Sequence, residues 1–356
     1  MPKIRVLVVE DSLTVRRRLV DVIAADPDLE VVAEGENGQQ AIELCQALRP
    51  DVITLDMHLP ILDGVSATEH IMGHFPTPIL IVSSSTNRGD LFKTYDALAA
   101  GAVDVLEKPL AEEADGVWER KFLAAIKMVS RIRVITHIRA RLGSVGRAAA
   151  PRVDVALPPV RVSDQGHSVI ALGASTGGPG ALVDVLRGIP VGLPATILIV
   201  LHIDEPFSSA FAEWLANQTS HSVSYARGGE ALAQTRSRVL MAPPGRHLAV
   251  SAGSLWLSSA PERHSCRPSV DVLFETLAKE CARDVVACLL TGMGRDGADG
   301  LLALRRAGAH TIAQDEATSV IYGMPREAAL LGAAERILPL AEIGAAVTRV
   351  AVKGGR

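Results

Sequence analysis

Two α/β domains joined by an extended linker are what this chain of 356 residues predicts. Short apolar segments alternate with amphipathic ones up to residue 109, the alternation lapses between 110 and 166, and it resumes from 168. Continuous apolar strands separated by helices belong to parallel sheets covered on both faces. A chain of this length holds about two domains, each large enough for a full core.

In the first part the expected strands are Ile4–Val9, Glu30–Ala33, Asp51–Leu55, Ile79–Val82 and Val103–Leu106. The helices between them are Leu13–Ala25, Gly38–Leu48, Val65–His74 and Asp90–Ala100. Five such units make a doubly wound, flavodoxin-like domain, assigned residues 1–120. Trp118, Phe122, Ile126 and Val129 keep helical spacing, so the last helix is expected to run past the sheet. Seven arginines between 131 and 161 then face a single acid, Asp154, and Pro151, Pro158 and Pro159 interrupt regular structure. Residues 121–166 therefore read as a helical start and a Pro/Arg-rich linker. A basic stretch of this kind is either a solvated spacer or a contact for nucleic acid or an acidic membrane surface, and the spacer is the expectation.

From 168 the strands are Ser168–Leu172, Ala195–Leu201, Ser222–Tyr225, Arg238–Met241, Val285–Leu290 and Thr311–Ala313, with helices Ala181–Leu186, Ser208–Asn217, Val270–Cys281 and Ala298–Ala307. His247–Val250 and Leu255–Ser258 flank Ser251-Ala252-Gly253-Ser254, a hairpin signal. Residues 167–356 are thus expected to form a second doubly wound α/β domain with a β-hairpin inserted.

An apolar content of 48% with 21% charged residues is that of a globular protein. A net charge of −4 argues against general affinity for nucleic acid. No uncharged apolar stretch approaches the roughly 20 residues that span a bilayer, and the first residues enter a strand with no secretory signal, so a cytoplasmic protein without membrane insertion is expected. Cys45, Cys266, Cys281 and Cys288 form no C-x-x-C pair and read as reduced core thiols, with no structural zinc.

In a parallel sheet the functional loops lie at the carboxyl ends of the strands. Glu10 and Asp11 follow the first strand, Asp56 ends the third, Ser83 the fourth, and Lys108 follows the fifth. Three carboxylates at one edge need a cation, and Mg²⁺ suits oxygen ligands. An aspartate so placed can attack a phosphoryl group while the metal and a lysine screen the charge. Taken singly, each acid could instead be a helix cap, Asp11 in particular. Val8-Val9-Glu10-Asp11-Ser12, Asp56-Met57-His58-Leu59-Pro60 with Asp63-Gly64, Val82-Ser83-Ser84 and Glu107-Lys108-Pro109 together resemble the receiver domain of two-component response regulators. The resemblance implies Asp56 as the phosphorylated residue, Ser83 and Lys108 as phosphoryl-binding groups, and Glu10, Asp11, Asp56 and the His58 carbonyl around Mg²⁺.

Gly173-Ala174-Ser175-Thr176-Gly177-Gly178-Pro179 places a serine among small residues where a strand turns into a helix. Such a turn can project a nucleophilic hydroxyl with backbone N–H groups beside it, as in the elbow of acyl-transfer hydrolases. A phosphate held by backbone N–H groups, or close helix packing alone, would use the same glycines. Among ten histidines, His202 ends the apolar strand Ala195–Leu201 and so shares the sheet edge with Ser175, while His247 and His264 lie near loops as candidate substrate contacts. Asp296, in Thr291-Gly292-Met293-Gly294-Arg295-Asp296-Gly297, is the candidate orienting acid, or else a helix cap.

With Arg267-Pro268-Ser269-Val270-Asp271, Ala313-Gln314-Asp315-Glu316 and Tyr322-Gly323-Met324-Pro325-Arg326-Glu327-Ala328 added, nearly the whole chain resembles the CheB family of chemotaxis protein-glutamate methylesterases. The resemblance implies Ser175 as nucleophile, His202 as general base, Asp296 as its orienter, and the backbone N–H groups of Thr176 and Met293 as the oxyanion site. It implies glutamyl methyl esters of methyl-accepting chemotaxis receptors as substrates, with receptor deamidation as a second activity and no cofactor for the esterase. A chemotaxis histidine kinase would be the phosphodonor. Leu201-His202-Ile203-Asp204-Glu205-Pro206 departs from the family's usual glutamine-His-Met-Pro-Pro stretch by adding two acids, which leaves receptor preference open. A non-catalytic, phosphorylation-dependent adaptor is the alternative function; a nucleotide-binding enzyme lacks both a Walker lysine and the G-x-G-x-x-G spacing.

Overall fold

The structure is a computed structural model that describes residues 2–84, 87–108, 116–132, 134, 168–203 and 205–353. The chain divides into two units, Met1–Arg152 and Val153–Arg356.

The first unit runs β1 Ile4–Val9, α1 Leu13–Ala24, β2 Leu29–Gly35, α2 Gly38–Leu48, β3 Val52–Leu55, α3 Gly64–His74, β4 Ile79–Ser83, α4 Arg88–Ala99, β5 Asp104–Glu107 and α5 Val117–Val129. Its five strands are parallel, in the order β2-β1-β3-β4-β5. Successive strand side chains point to opposite faces, and the core divides accordingly. Leu7, Val9, Ile53, Leu55 and Ile81 pack with α2, α3 and α4. Val6, Val8, Val52, Leu80 and Val82 pack with Leu19 and Ile23 of α1 and with Trp118, Phe122, Ile126 and Val129 of α5. The helical spacing of those four α5 residues puts them on one face against the sheet, and the expected division at residue 120 falls inside this helix. Of the expected linker, 133 and 135–166 lie outside the described residues.

The second unit runs β6 Ser168–Ala174, α6 Gly178–Arg187, β7 Ala195–Leu201, α7 Phe211–Thr219, β8 Val223–Tyr225, β9 Val239–Met241, β10 His247–Ser251, β11 Ser254–Ser258, α8 Val270–Glu280, β12 Val285–Leu289, α9 Ala298–Arg306, β13 His310–Gln314, α10 Met324–Leu330, β14 Arg336–Leu338 and α11 Leu340–Lys353. Seven parallel strands lie in the order β14-β13-β12-β6-β7-β9-β8, and β10 with β11 forms the expected hairpin. The chain starts in the middle of the sheet at β6, builds outward through β7, then returns to build the other half from β12. That reversal makes a crevice at the carboxyl ends of β6 and β12, the place where open α/β sheets bind ligands. α8, α9, α10 and the hairpin cover one face through Phe274, Leu277, Leu301, Leu304, Met324, Leu248 and Leu255.

Candidate active site

Two sites stand at carboxyl edges, one in each unit. In the first unit, Glu10, Asp56 and Ser83 are buried and Asp11 is exposed. Carboxylate oxygens of Glu10, Asp11 and Asp56 lie within 4.8 Å of one another. Lys108 Nζ donates to Glu10 Oε2 at 2.8 Å and to Asp56 Oδ2 at 2.9 Å. Burial, and the charge of Asp56 against the pull of Lys108, push the Glu10 carboxyl up to about 7. Burial alone would depress the Lys108 ammonium, but Asp56 and Glu10 outweigh it and raise it. Ser83 Oγ is buried with no hydrogen-bond partner among the described residues. The cap of α1 is Ser12, not Asp11. The His58 imidazole is bonded through Nε2 to Asp90 Oδ1 at 2.8 Å, so any role of His58 at the acidic cluster falls to its carbonyl.

In the second unit, Ser175 follows β6 at the crevice. Gly177, at φ +75°, turns the chain into α6, a conformation that favours glycine. The Ser175 N–H donates to the Thr291 carbonyl at 3.0 Å, and Thr291 Oγ1 donates to the Thr176 carbonyl at 3.0 Å. The loops after β6 and β12 are thereby tied together. Thr291 N–H in turn donates to Oε1 of the buried Gln314 at 2.8 Å. Gly292 accepts from the N–H groups of Gly323 and Met324 at 3.1 and 2.8 Å. A Cβ at Gly292 would run into Met324 Sδ and Ser175 Cβ, so only glycine lets these segments approach. The Thr176 and Met293 N–H groups donate no hydrogen bond among the described residues.

His202 lies beside Ser175 across the strand pair. Ala174 is opposite Leu201 in register, and the His202 N–H donates to the Ala174 carbonyl at 3.0 Å. Neighbouring strands lie about 4.8 Å apart, so the two side chains leave adjacent points of one edge. Among the described residues no hydrogen bond joins the Ser175 hydroxyl to His202. His202 instead donates Nε2–H to Asp296 Oδ2 at 2.9 Å, and its Nδ1 lies 3.7 Å from Cys266 Sγ. Burial alone would lower the His202 pKa; the bonds to Asp296 and Cys266 outweigh it and push it up to about 9.

Asp296 is 3% exposed and caps no helix of its own, since Gly297 occupies that position before α9. Its carboxylate sits instead at the start of α8. Oδ1 accepts from Ser269 Oγ at 2.7 Å and Asp271 N–H at 3.2 Å, and Oδ2 accepts from Val270 N–H at 2.6 Å besides His202. A helix N-terminus favours negative charge. Burial alone would raise this carboxyl; His202, Ser269 and Val270 hold it below the ordinary aspartate value.

Two expectations are corrected. His247 is buried, accepting from the Ser269 N–H at Nδ1 and donating from Nε2 to the Pro261 carbonyl, so both nitrogens are engaged. His264, by contrast, is exposed at the surface and bonded through Nε2 to Asp271 at 3.1 Å. Cys266 is no core thiol: Cys45 and Cys288 are buried, but Cys266 is half-buried over His202, brought there by a turn that the sequence does not advertise. Ser269, Thr291 and Gln314 also support the site, and the sequence marked them only as parts of longer motifs. Of the two acids after His202, Asp204 lies outside the described residues and Glu205 is exposed.

The family description CheB methylesterase matches residues 170–347, and that of the response regulator receiver domain matches residues 6–114. A protein of Anaeromyxobacter dehalogenans named protein-glutamate methylesterase/protein-glutamine glutaminase 2 is 42% identical over 96% of this chain and 95% of its own. A Nitrosospira multiformis protein named protein-glutamate methylesterase/protein-glutamine glutaminase is 41% identical over 99% of this chain and 98% of its own. Among solved structures, the Thermotoga maritima CheB methylesterase catalytic domain is 30% identical, covering 53% of this chain and 100% of its own, with a TM-score of 0.49. The chain belongs to the CheB methylesterase family and carries a response regulator receiver domain before its methylesterase domain.

Proposed function

We propose that this protein is a phosphorylation-regulated protein-glutamate methylesterase that hydrolyses glutamyl methyl esters of methyl-accepting chemotaxis receptors and deamidates receptor glutamines. Support comes from the names of its relatives and, above all, from the His202–Asp296 pair standing one strand from Ser175 at the crevice. Ser175 Oγ attacks the ester carbonyl while His202, through Nδ1, takes its proton. Asp296 fixes the ring by holding Nε2–H and stabilises the cation that forms. The N–H groups of Thr176 and Met293, which donate no hydrogen bond among the described residues, receive the oxyanion. Methanol, or ammonia from a glutamine, leaves with the proton from His202, and water then releases the glutamate. No cofactor enters these steps.

The receiver residues fit Mg²⁺. Their donors are hard oxygens, Asp11 is open to water, and three carboxylates crowd within 4.8 Å of one another. Glu10, Asp11, Asp56 and the His58 carbonyl would hold the ion, which when bound neutralises charge during phosphoryl transfer. Asp56 accepts the phosphoryl group from a chemotaxis histidine kinase, and Ser83 and Lys108 bind its oxygens. The setting is the cytoplasm, without nucleic acid or membrane insertion; no described helix is long and apolar enough to cross a membrane.

The test is methanol release from methylated receptor. Ser175→Ala or His202→Ala should lower turnover about 10⁴–10⁶-fold, with the double variant little worse than either single one, and Asp296→Asn should cost less. Near-normal turnover in Ser175→Ala overturns the serine mechanism.

A further inference from the structure

Cys266 faces the one nitrogen of His202 that Asp296 leaves open. Its Sγ is 3.7 Å from His202 Nδ1 and 3.4 Å from the His264 carbonyl oxygen. The turn that carries it is closed by paired backbone bonds between Arg263 and Cys266, at 3.1 and 2.9 Å. His264 and Ser265, its central residues, both have positive φ, 51° and 60°. Arg263 clamps the turn to α8 through two bonds to Glu275, at 2.6 and 2.7 Å, and His264 clamps it through Asp271. The sulfur is therefore held over the imidazole by the rest of the domain.

His202, Cys266 and Asp296 have the makings of a metal site, their donor atoms lying within 4.8 Å of one another. The hydrogen bonding argues against it. Each Asp296 oxygen already serves two donors, leaving one sulfur and one nitrogen where zinc takes at least three protein ligands. What remains is a partly exposed thiol beside a carboxylate-oriented imidazole, the arrangement that activates cysteine nucleophiles.

We propose that Cys266 is a redox-modification site, at which hydroperoxides convert the thiol to a sulfenic acid that reversibly silences the esterase. His202 Nδ1 holds the thiol proton, so that Sγ attacks the peroxide as a thiolate paired with the imidazolium. An S–O bond forms, the O–O bond breaks, and the departing hydroxide takes the proton from His202 and leaves as water. Sulfur loses two electrons and the peroxide gains them. The added oxygen occupies the space in front of Nδ1, the nitrogen Ser175 needs; this silencing rests on the proposed role of His202. Two equivalents of a thiol restore Cys266, yielding a disulfide of the reductant and water.

Full-length protein is treated with hydrogen peroxide and labelled with a sulfenic-acid probe, and each cysteine is scored by mass spectrometry. Cys266 should be labelled about tenfold or more above Cys45, Cys281 and Cys288, and His202→Ala should lower its labelling about tenfold. Ser175→Ala, which has no serine nucleophile, should be labelled like the wild type, so labelling is read independently of the esterase. Alkylation by iodoacetamide supplies a second readout. At pH 6–7 wild-type Cys266 should react about tenfold or more faster than in His202→Ala. In the methanol assay peroxide should abolish turnover and dithiothreitol restore it, while Cys266→Ser and Cys266→Ala each keep their own untreated rate. Labelling that spares Cys266, or is indifferent to His202, overturns the site; labelling without loss of turnover overturns the silencing.

Discussion

At the scale of single residues, the chemistry turns on how Asp296 divides the two nitrogens of His202. Asp296 takes Nε2–H, so in the proposed mechanism the proton of Ser175 goes to Nδ1, which faces Cys266. A general base must be neutral to act, so a raised histidine pKa means that activity is lost as pH falls through the raised value. The acid limb of kcat/KM for methanol release, which reports the free enzyme, is expected near 9. Cys266→Ala removes one of the groups that raise it and should move the limb toward lower pH. A wild-type limb at 6.5 or below would show that the two partners do not outweigh burial. The candidates Ser175, His202 and Asp296 were legible in the sequence because each ends a strand or opens a helix. Cys266 was not, since it lies 64 residues from His202 in a turn whose two positive-φ residues are not glycines.

At the scale of elements, the site depends on two loops held at fixed distance. Thr291 and Gln314 tie the loop after β12 to the Ser175 turn, and Gly292 lets Ser175 and Met324 pack against it. Gly292→Ala should push these segments apart. Overpacking of this kind costs about 1–3 kcal/mol of stability, and misplacement by about 1 Å costs about 10²-fold in turnover. A fall in kcat with little change in KM, read beside the thermal midpoint, is the expected result; unaltered kcat would mean the loops absorb the methyl group. Most elements followed from apolar periodicity. α10, β14 and α11 were not marked in the sequence, and the reasons are local. β14 is a three-residue edge strand with Arg336 and Ile337 exposed, so it has no apolar run to detect. α10 is only seven residues and opens on Met324-Pro325.

At the scale of the whole molecule, each unit has its own parallel sheet, its own core and its own carboxyl-edge site. The second unit therefore should carry the ester chemistry alone, and the first should carry the response to phosphorylation. Asp56→Asn should leave basal methanol release in place while abolishing any change on adding a small phosphodonor. A fragment starting at residue 161 should release methanol with no response to phosphodonor at all. A phosphodonor response that survives Asp56→Asn would place the phosphorylated residue elsewhere.

The sequence by itself determined the two α/β units, the strand-end acids of the first and the serine turn of the second. Backbone alternation is a local property, and a residue at the carboxyl end of a parallel strand reaches the functional edge whatever the strand order. The tertiary structure decided which strands are neighbours, and so which edge residues meet. It set β6 between β12 and β7, bringing loops 116 residues apart, those of Ser175 and Thr291, into hydrogen-bond contact. It also turned Asp296 from the helix it precedes to the N-terminus of α8, and laid Cys266 over His202. These are long-range pairings that no local pattern encodes, because they depend on how whole elements pack.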